Sequence, residues 1–324
     1  MSKWLLLFWV GIMWFSIVDC YTQKVPQIEI NNGLIKAGIY PPDITNGYYR
    51  ATRFDWSGVI PYLEHDGHSY FGKWFKNYDP EVHESVMGPV EEFTQLGYEE
   101  AAIGESFLKI GVGMLVKPKE TTYNNFKLYE ISDHGIWKIK KKANEVILQH
   151  HLKDVKYSYK YEKRISLSKG NAELILSHQF TNTGSTSIDT QVYNHNFFLI
   201  DSLEIGPGYV VKLPFDIQAE GRVKGVGKFA EIDKKEIRFI EKLQEGNQVY
   251  IEYIRGYSKD SKTYTIHIEN RKTRAGVKIH SNRPLSKLSF WSAYKTLCPE
   301  PFIKIKADPG ETISWETTYT FYSF

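Results

Sequence analysis

One short segment combines aromatic, amide and imidazole side chains in the order Tyr193-Asn194-His195-Asn196-Phe197. Side chains alternate between the two faces of a β-strand, so Tyr193, His195 and Phe197 would share one face and Asn194 the other. An imidazole between two aromatic rings could donate a proton beside a surface on which a sugar ring stacks. Aromatic stripes are more often ordinary core packing, so a half-buried histidine without a catalytic role is the alternative interpretation.

A second segment places one carboxylate between two prolines, in the order Cys298-Pro299-Glu300-Pro301. Proline lacks an amide hydrogen and has a fixed φ, so the pair is expected to interrupt strand pairing and to end the strand in a rigid loop. Such a loop could hold Glu300 as a general base. A solvated glutamate in a turn is the alternative interpretation.

Two arginines, Arg50 and Arg53, lie among aromatic residues in the segment 48–58. A guanidinium is a planar fork of donors that can hold the hydroxyl groups or the carboxylate of a ligand. The alternative is a structural role, either in an ion pair with Asp55 or in a cation–π contact with Trp56.

The segment 83–93 contains His83 and the carboxylates of Glu84, Glu91 and Glu92. Their spacing does not match a metal-binding pattern such as His-Glu-x-x-His, so the segment is predicted to be a solvated loop without a metal site. The chain also contains no glycine-rich phosphate loop and no Gly-x-Ser-x-Gly motif of a serine nucleophile.

The elements that must position these residues are mainly strands. Alternation with a period of two residues is clear in 157–162, 173–180, 189–198 and 313–321, and the turn-forming residues between the second and third segments predict a hairpin. Helical periodicity is scarce, and 228–243 is the best helix candidate. Many short strands separated by Gly, Pro and Asn predict an all-β fold, a large antiparallel β-sandwich.

Composition supports one globular domain. The chain has 324 residues, of which 42% are hydrophobic and 15% aromatic, and this composition excludes a disordered protein. The formal net charge of +3 is too close to neutral for a nucleic-acid-binding protein. Since no linker or low-complexity stretch divides residues 23–324, a single domain is predicted over that range.

The N-terminus predicts export. Lys3 precedes the apolar run 4–18, which has the length of a secretory signal and is short for a membrane span. Cleavage after Thr22 would release the mature chain to the periplasm or the medium without stable membrane insertion. Lipidation of Cys20 is the alternative, disfavoured because Asp19 precedes it. After cleavage Cys298 would be the only cysteine, so no internal disulfide is expected.

Several of these segments, taken together, resemble one known family. The Asn-His-Asn-Phe-Phe-Leu segment 194–199, the Cys-Pro-Glu-Pro segment 298–301 and the Asp-Pro-Gly-Glu turn 308–311 occur in the order found in the aldose 1-epimerase (galactose mutarotase-like) superfamily. The chain resembles especially an exported bacterial branch of that superfamily. The resemblance covers residues of about 45 to 320 and implies the galactose mutarotase-like supersandwich.

The resemblance also implies roles for individual residues. His195 would be the catalytic acid and Glu300 the catalytic base, with Arg53 holding the substrate, which would be a mono- or oligosaccharide. His83 is the nearest counterpart of the family's first catalytic histidine, although the segment around it differs. The family's substrate-binding aspartate has no counterpart here.

The implied activity is the interconversion of sugar anomers. Glu300 and His195 would act from opposite sides of a sugar, roughly 5 to 8 Å apart, as carboxylate pairs do around a glycosidic bond. Tyr193 or Phe197 would lie under the ring, and neither a metal ion nor an organic cofactor is expected. Two alternatives stay open: a polysaccharide lyase-type enzyme acting on uronates through Tyr193, Asn194 and His195, and a carbohydrate-binding module without catalysis.

Overall fold

The computed structural model describes residues 25–258 and 260–324, so the predicted signal segment 1–22 lies outside the described residues. Strands are the predominant regular secondary structure of the described residues, which also include one short 3-10 helix at Ile200–Ser202. The strands are β1 (Ile28–Asn31), β2 (Ile35–Ile39), β3 (Leu63–His65), β4 (His68–Ser69), β5 (Gly88–Phe93), β6 (Ser106–Lys109), β7 (Gly113–Val116), β8 (Ile131–Asp133), β9 (Ile136–Lys141), β10 (Glu145–Leu152), β11 (Tyr159–Leu167), β12 (Glu173–Asn182), β13 (Ile188–Phe197), β14 (Tyr209–Lys212), β15 (Gln218–Lys224), β16 (Ala230–Asp233), β17 (Glu236–Phe239), β18 (Gln248–Arg255), β19 (Tyr264–Asn270), β20 (Ala275–Ser281), β21 (Lys287–Ala293), β22 (Thr296–Ala307) and β23 (Thr312–Ser323).

Two large antiparallel sheets form the body of the protein. One has ten strands in the order β16-β17-β14-β19-β20-β23-β12-β11-β10-β9, and the other has six in the order β15-β18-β21-β22-β13-β5. Their inward side chains belong to one hydrophobic cluster, and two smaller sheets, β1-β2-β3-β4 and β6-β7-β8, flank them. The predicted antiparallel β-sandwich is confirmed. No helix in the described part of the chain is long and apolar enough to span a bilayer.

The local structure of three segments was predicted from the sequence, and one of these predictions is confirmed. The alternation in the last strand is confirmed, since Trp315, Tyr319 and Phe321 on β23 are buried. The predicted hairpin of residues 173–198 is wrong, because β12 lies in the ten-stranded sheet and β13 in the six-stranded sheet. A five-residue turn is long enough to cross the distance of about 10 Å between packed sheets, and each strand then turns its apolar face to the core. The helix candidate 228–243 is also wrong, because β16 and β17 pair there as a hairpin.

The segment predicted to be a solvated loop contains a buried strand. All six residues of β5 are buried, and Glu91 on this strand points into the core between the two large sheets. Its carboxylate binds the ammonium group of Lys163 on β11 and accepts a hydrogen bond from Nε2 of His178 on β12, at 3.0 Å. The segment is acidic, but the charge of Glu91 is paired across the core, and a paired charge can be buried. The ion pair therefore joins the two sheets.

Replacing Lys163 by Met tests the contribution of this pair to stability. The change leaves the buried Glu91 carboxylate without its cation, so the free energy of unfolding should fall by about 3–5 kcal/mol. Urea unfolding measures the loss. Lys160→Met, at an exposed position of the same strand, is the matched control and should change stability by less than about 0.5 kcal/mol. Equal stability of Lys163→Met and the control would contradict this account of the core.

Candidate active site

His195 and Glu300 lie opposite each other on neighbouring strands. Tyr193 on β13 pairs with Phe302 on β22, and a bridge joins Phe198 to Leu297 in the same register. That register places His195 opposite Glu300, and Nε2 of the imidazole lies 3.2 Å from Oε1 of the carboxylate. Both side chains are buried.

The two prolines around Glu300 open the ladder without ending the strand. Pro299 and Pro301 lie inside β22, which continues to Ala307, so the predicted strand-terminating loop is wrong. Since proline cannot donate a backbone hydrogen bond, the regular β13–β22 ladder is interrupted beside Glu300. The missing bonds are replaced by a side chain: Asn196 Nδ2 donates to the carbonyl of Pro299 at 2.8 Å, and Asn196 Oδ1 accepts from the hydroxyl of Tyr319 at 2.8 Å.

Aromatic rings hold the imidazole of His195. The ring stacks on Phe197 with 4.0 Å between centroids and 1° between planes, and Trp74 stacks on the other face of Phe197 at 5.1 Å. Phe54 contacts the imidazole edge-on at 5.7 Å. The Nδ1 atom of His195 is buried and has no hydrogen-bond partner among the described residues. The ring is therefore oriented by packing, and Nε2 faces Glu300.

Burial shifts both titrating groups toward their neutral forms. Burial raises the pKa of Glu300 to about 7, although the nearby Arg53 opposes the shift. Burial and the same arginine lower the pKa of His195 well below its ordinary value. Near neutral pH the imidazole is therefore neutral and Glu300 is partly protonated. Beyond the one proton of a neutral imidazole, the pair therefore carries at most one further proton at this pH.

Arg53 is fixed beside this pair by a second buried carboxylate. Its Nε atom lies 2.8 Å from Oε2 of Glu92, and its Nη2 atom donates to the hydroxyl of Tyr193 at 3.2 Å. The hydroxyl of Tyr193 donates in turn to Glu92 at 2.6 Å. Burial alone would raise the pKa of Glu92, but Arg53 and Lys109 hold it down at about 2. The guanidinium is thereby held in one orientation.

Arg53, Tyr193, His195 and Glu300 line a cavity of about 730 Å³, a volume within the range of small-molecule sites. The six-stranded sheet forms one wall, and loop residues from the first half of the chain form the other. The lining residues are Arg53, Phe54, Trp74, His83, Glu84, Asn125, Phe126, Tyr193, His195, Phe197, Arg222, Lys224, Gln248, Tyr250, Lys287, Ser289, Trp291, Glu300 and Phe302.

Known structures with this architecture decide the fold family. A galactose mutarotase related enzyme from Lactobacillus acidophilus superposes with a TM-score of 0.55 at 12% identity, covering 92% of this chain and 98% of its own. A galactose mutarotase-like protein from Clostridium acetobutylicum gives 0.55 at 14%, covering 92% and 95%. The GalM/aldose epimerase homologue from C. elegans gives 0.51 at 14%, covering 92% and 99%. The chain has the galactose mutarotase-like fold.

The sequence matches no family model and no curated protein. At identities of 12–14% the structural likeness establishes the mutarotase-like fold and leaves the activity to be argued from the site. The resemblance stated from the sequence is thus confirmed at the level of the fold.

Within the mutarotase-like fold, most of the residues singled out in the sequence meet at one cavity. Arg53, Tyr193, His195, Phe197 and Glu300 line it together. The predicted separation of 5 to 8 Å between imidazole and carboxylate is wrong, since the two are in contact at 3.2 Å. That expectation came from enzymes whose carboxylates flank a whole glycosidic bond.

Among the remaining predicted residues, His83 also lines the cavity. Its ring lies edge-on to Phe126 at 5.0 Å, its Nε2 atom is 3.7 Å from Glu84, and burial lowers its pKa. Arg50 does not line the cavity: it donates to the carbonyl of Thr45 and lies 3.7 Å from Glu81. The segment around it is an irregular loop, in which a spacing of three residues does not bring two side chains together.

Asn194, expected to face a uronate in the lyase alternative, does not line the cavity, and it lies on the face opposite His195 as the alternation predicted. Its side chain points into the core and donates to Glu91 at 2.8 Å, because alternation along β13 turns it away from His195. The expected partners of Arg53 differ as well. Asp55 binds Ser57 and Tyr161 in the core, and the guanidinium lies over Phe54 at 4.5 Å and Phe126 at 4.8 Å.

Sequence reasoning missed several residues that shape the site. Glu92 holds Arg53, and Trp74 and Trp291 flank the His195–Phe197 stack. The sequence did contain a signal for Glu92. The segment Gly88 to Phe93 has Pro, Val and Phe beside the two glutamates, a composition compatible with a buried strand. On a strand, the consecutive residues Glu91 and Glu92 would face opposite sides. The tryptophans lie outside the motifs and carried no such signal.

Asn196→Ala tests the side-chain bridge between β13 and β22. The change leaves the Pro299 carbonyl and the Tyr319 hydroxyl unpaired in the interior, so the free energy of unfolding should fall by about 2–4 kcal/mol. Urea unfolding followed by tryptophan fluorescence measures the loss. Asn171→Ala, which removes an exposed amide, is the control. An unchanged unfolding midpoint for Asn196→Ala would show that the bridge contributes nothing.

Proposed function

We propose that the chain is an aldose 1-epimerase-like isomerase that interconverts sugar anomers by ring opening. The proposal is carried by one observation: the imidazole of His195 and the carboxylate of Glu300, 3.2 Å apart, face the same cavity of about 730 Å³. The mutarotase-like fold of the chain supports it, since proteins described as galactose mutarotase-related or aldose epimerase homologues share that fold.

The close contact suits this reaction. Ring opening removes a proton from the O1 hydroxyl of the sugar and adds one to the ring oxygen, and both oxygens are bonded to the anomeric carbon. Two groups that must reach such neighbouring atoms have to lie close together. The large cavity then accommodates the rest of the sugar, with Arg53 beside the reacting atoms.

Two proton transfers open the sugar ring, and two reverse transfers close it. Glu300 takes the O1 proton while Nε2 of His195 gives a proton to the ring oxygen. The bond between the anomeric carbon and the ring oxygen breaks, and a carbonyl forms at O1. After rotation about the adjacent carbon–carbon bond, the new hydroxyl adds to the other face of the carbonyl and returns its proton to His195. Glu300 then returns the first proton to O1, and the site is regenerated.

The contacts of Tyr193 and Asn194 favour this activity over the uronate lyase. A lyase using both residues would need them free to face the substrate. The hydroxyl of Tyr193 is already bound to Glu92 and Arg53, burial raises its pKa far above its ordinary value, and Asn194 faces the core. A lyase site is therefore not assembled from these residues.

Glu300→Gln tests the role of the base. The substitution keeps the size of the side chain and removes its ability to accept the O1 proton, so the rate of anomer interconversion should fall by about 100-fold or more. Polarimetry on freshly dissolved α-aldoses measures the rate. Glu231→Gln, exposed on β16 in the other large sheet, is the control. Sugar binding by the wild type without any acceleration would point to a carbohydrate-binding module instead.

The pH dependence should reflect the proton shared by His195 and Glu300. The productive arrangement has one proton on the pair, carried by His195 while Glu300 is ionised. The resting arrangement, with neutral His195 and protonated Glu300, contains the same number of protons. A rise in pH that removes the shared proton therefore depletes both arrangements together. Because burial raises the pKa of Glu300 to about 7, that proton is lost above neutrality.

We therefore expect kcat/KM to fall as pH rises above about 7, and to fall on the acid side only well below pH 6.5, where His195 takes up the second proton. A pH series of the polarimetric assay in constant ionic strength measures both limbs. An activity that instead increases through pH 7 and stays high would contradict the shared-proton mechanism.

A further inference from the structure

Three cationic side chains line the part of the cavity formed by β15 and β21. Arg222 and Lys224 come from β15, and Lys287 is the first residue of β21. None of them forms an ion pair with a carboxylate in the described part of the chain. Arg222 lies 4.9 Å over the ring of Tyr250, and Lys224 donates to the side-chain oxygen of Gln248 at 3.4 Å. This end of the cavity therefore carries positive charge that the protein does not neutralise by direct contact.

Of the three cations, Lys287 gives the strongest indication of an anionic ligand. It is half-buried, and its ammonium lies over the rings of Tyr253 at 4.8 Å and Phe302 at 4.9 Å. Burial lowers its pKa, while the fields of Glu300 and Glu252 act in the opposite direction. Partial burial of an ammonium without a paired anion opposes folding, and an anionic ligand in the cavity would offset that cost.

The strand register sets the position of this charge relative to the reacting pair. Lys287 pairs with Phe302, and Ser289 pairs with Glu300. Lys287 and Glu300 are therefore diagonal neighbours on one face of the sheet, a relation that separates residues by roughly 7–8 Å. A sugar whose anomeric centre lies at Glu300 would thus reach Lys287 with a substituent elsewhere on the same or the next sugar unit.

The other charges around the cavity do not cancel this feature. Arg53 is already paired with Glu92, and the carboxylates that line the cavity are those of Glu84 and Glu300. Glu84 lies near His83, on a loop from the first half of the chain. Glu300 loses part of its negative charge near neutral pH because burial raises its pKa to about 7.

We propose that the sugar bound here carries an anionic substituent, a carboxylate or a phosphate ester, which Lys287 binds together with Arg222 and Lys224. The proposal rests on the proposed function for the position of the anomeric centre. An ammonium acts as a point charge toward either anion, and a guanidinium can contact two oxygens at once. The shared chemistry is therefore that of an acidic sugar.

Titration calorimetry with matched pairs of sugars tests the proposal. The pairs are galacturonate with galactose and glucose 6-phosphate with glucose, measured on the full chain at low and at high salt. We expect at least one acidic sugar to bind about tenfold or more tightly than its neutral partner, with a preference that weakens as salt rises. Which acidic sugar is preferred distinguishes the carboxylate from the phosphate ester.

Lys287→Met should reduce this preference for the acidic sugar by about tenfold. Lys304→Met, exposed on β22 and outside the cavity, is the matched control and should keep the preference. If Lys287→Met does not fold, the double variant Arg222→Met/Lys224→Met, at exposed positions, provides the same test. Equal binding of acidic and neutral sugars, or a preference unchanged in these variants, would overturn the proposal.

The outcomes separate this proposal from the isomerase activity. Tight binding of an acidic sugar without acceleration of its anomer interconversion would leave the anion site standing and refute the isomerase. Faster anomer interconversion of neutral sugars, without tighter binding of acidic ones, would support the isomerase activity and overturn the anion site.

Discussion

The ion pair between Glu91 and Lys163 is the interaction on which the arrangement of the site depends. Each side chain is about 1% exposed, and the pair joins the six-stranded sheet to the ten-stranded sheet through the core. His178 and Asn194 bind the same carboxylate. A buried charge must keep its partners, so the positions of β5 and β13 relative to the opposite sheet are closely constrained.

Alternation along β5 carries this constraint to the cavity. Because Glu91 faces the core, its neighbour Glu92 must face the other side of the sheet, where it holds Arg53 and Tyr193. Alternation along β13 acts in the same way: Asn194 binds the core carboxylate, and His195 is therefore directed to the cavity. On β5 and on β13, one residue thus binds in the interior of the sandwich, and the next residue lies on the face of the sheet that carries Glu300.

Much of the fold and part of the site could be predicted from the sequence. The strands were predictable because apolar and polar residues alternate along them. His195 and Glu300 stood out by their neighbours, but only the family resemblance assigned them as acid and base. The hairpin of residues 173–198 and the burial of β5 were not predictable in this way. Alternation shows that a strand buries one face but not which sheet it joins, and a Glu-Glu pair appears solvated until Lys163 and Arg53, far away in sequence, are known to bind it.

Pro299 and Pro301 also determine how the sheet responds to force. Neighbouring strands usually resist separation through a row of backbone hydrogen bonds, but beside Glu300 that row is reduced to one side-chain bridge from Asn196. Spreading β13 from β22 at this point therefore breaks fewer bonds than spreading them near Ile188 or Ala307, where the ladder is regular. The β13–β22 pair is thus easier to separate between the imidazole and the carboxylate than at its regularly paired end.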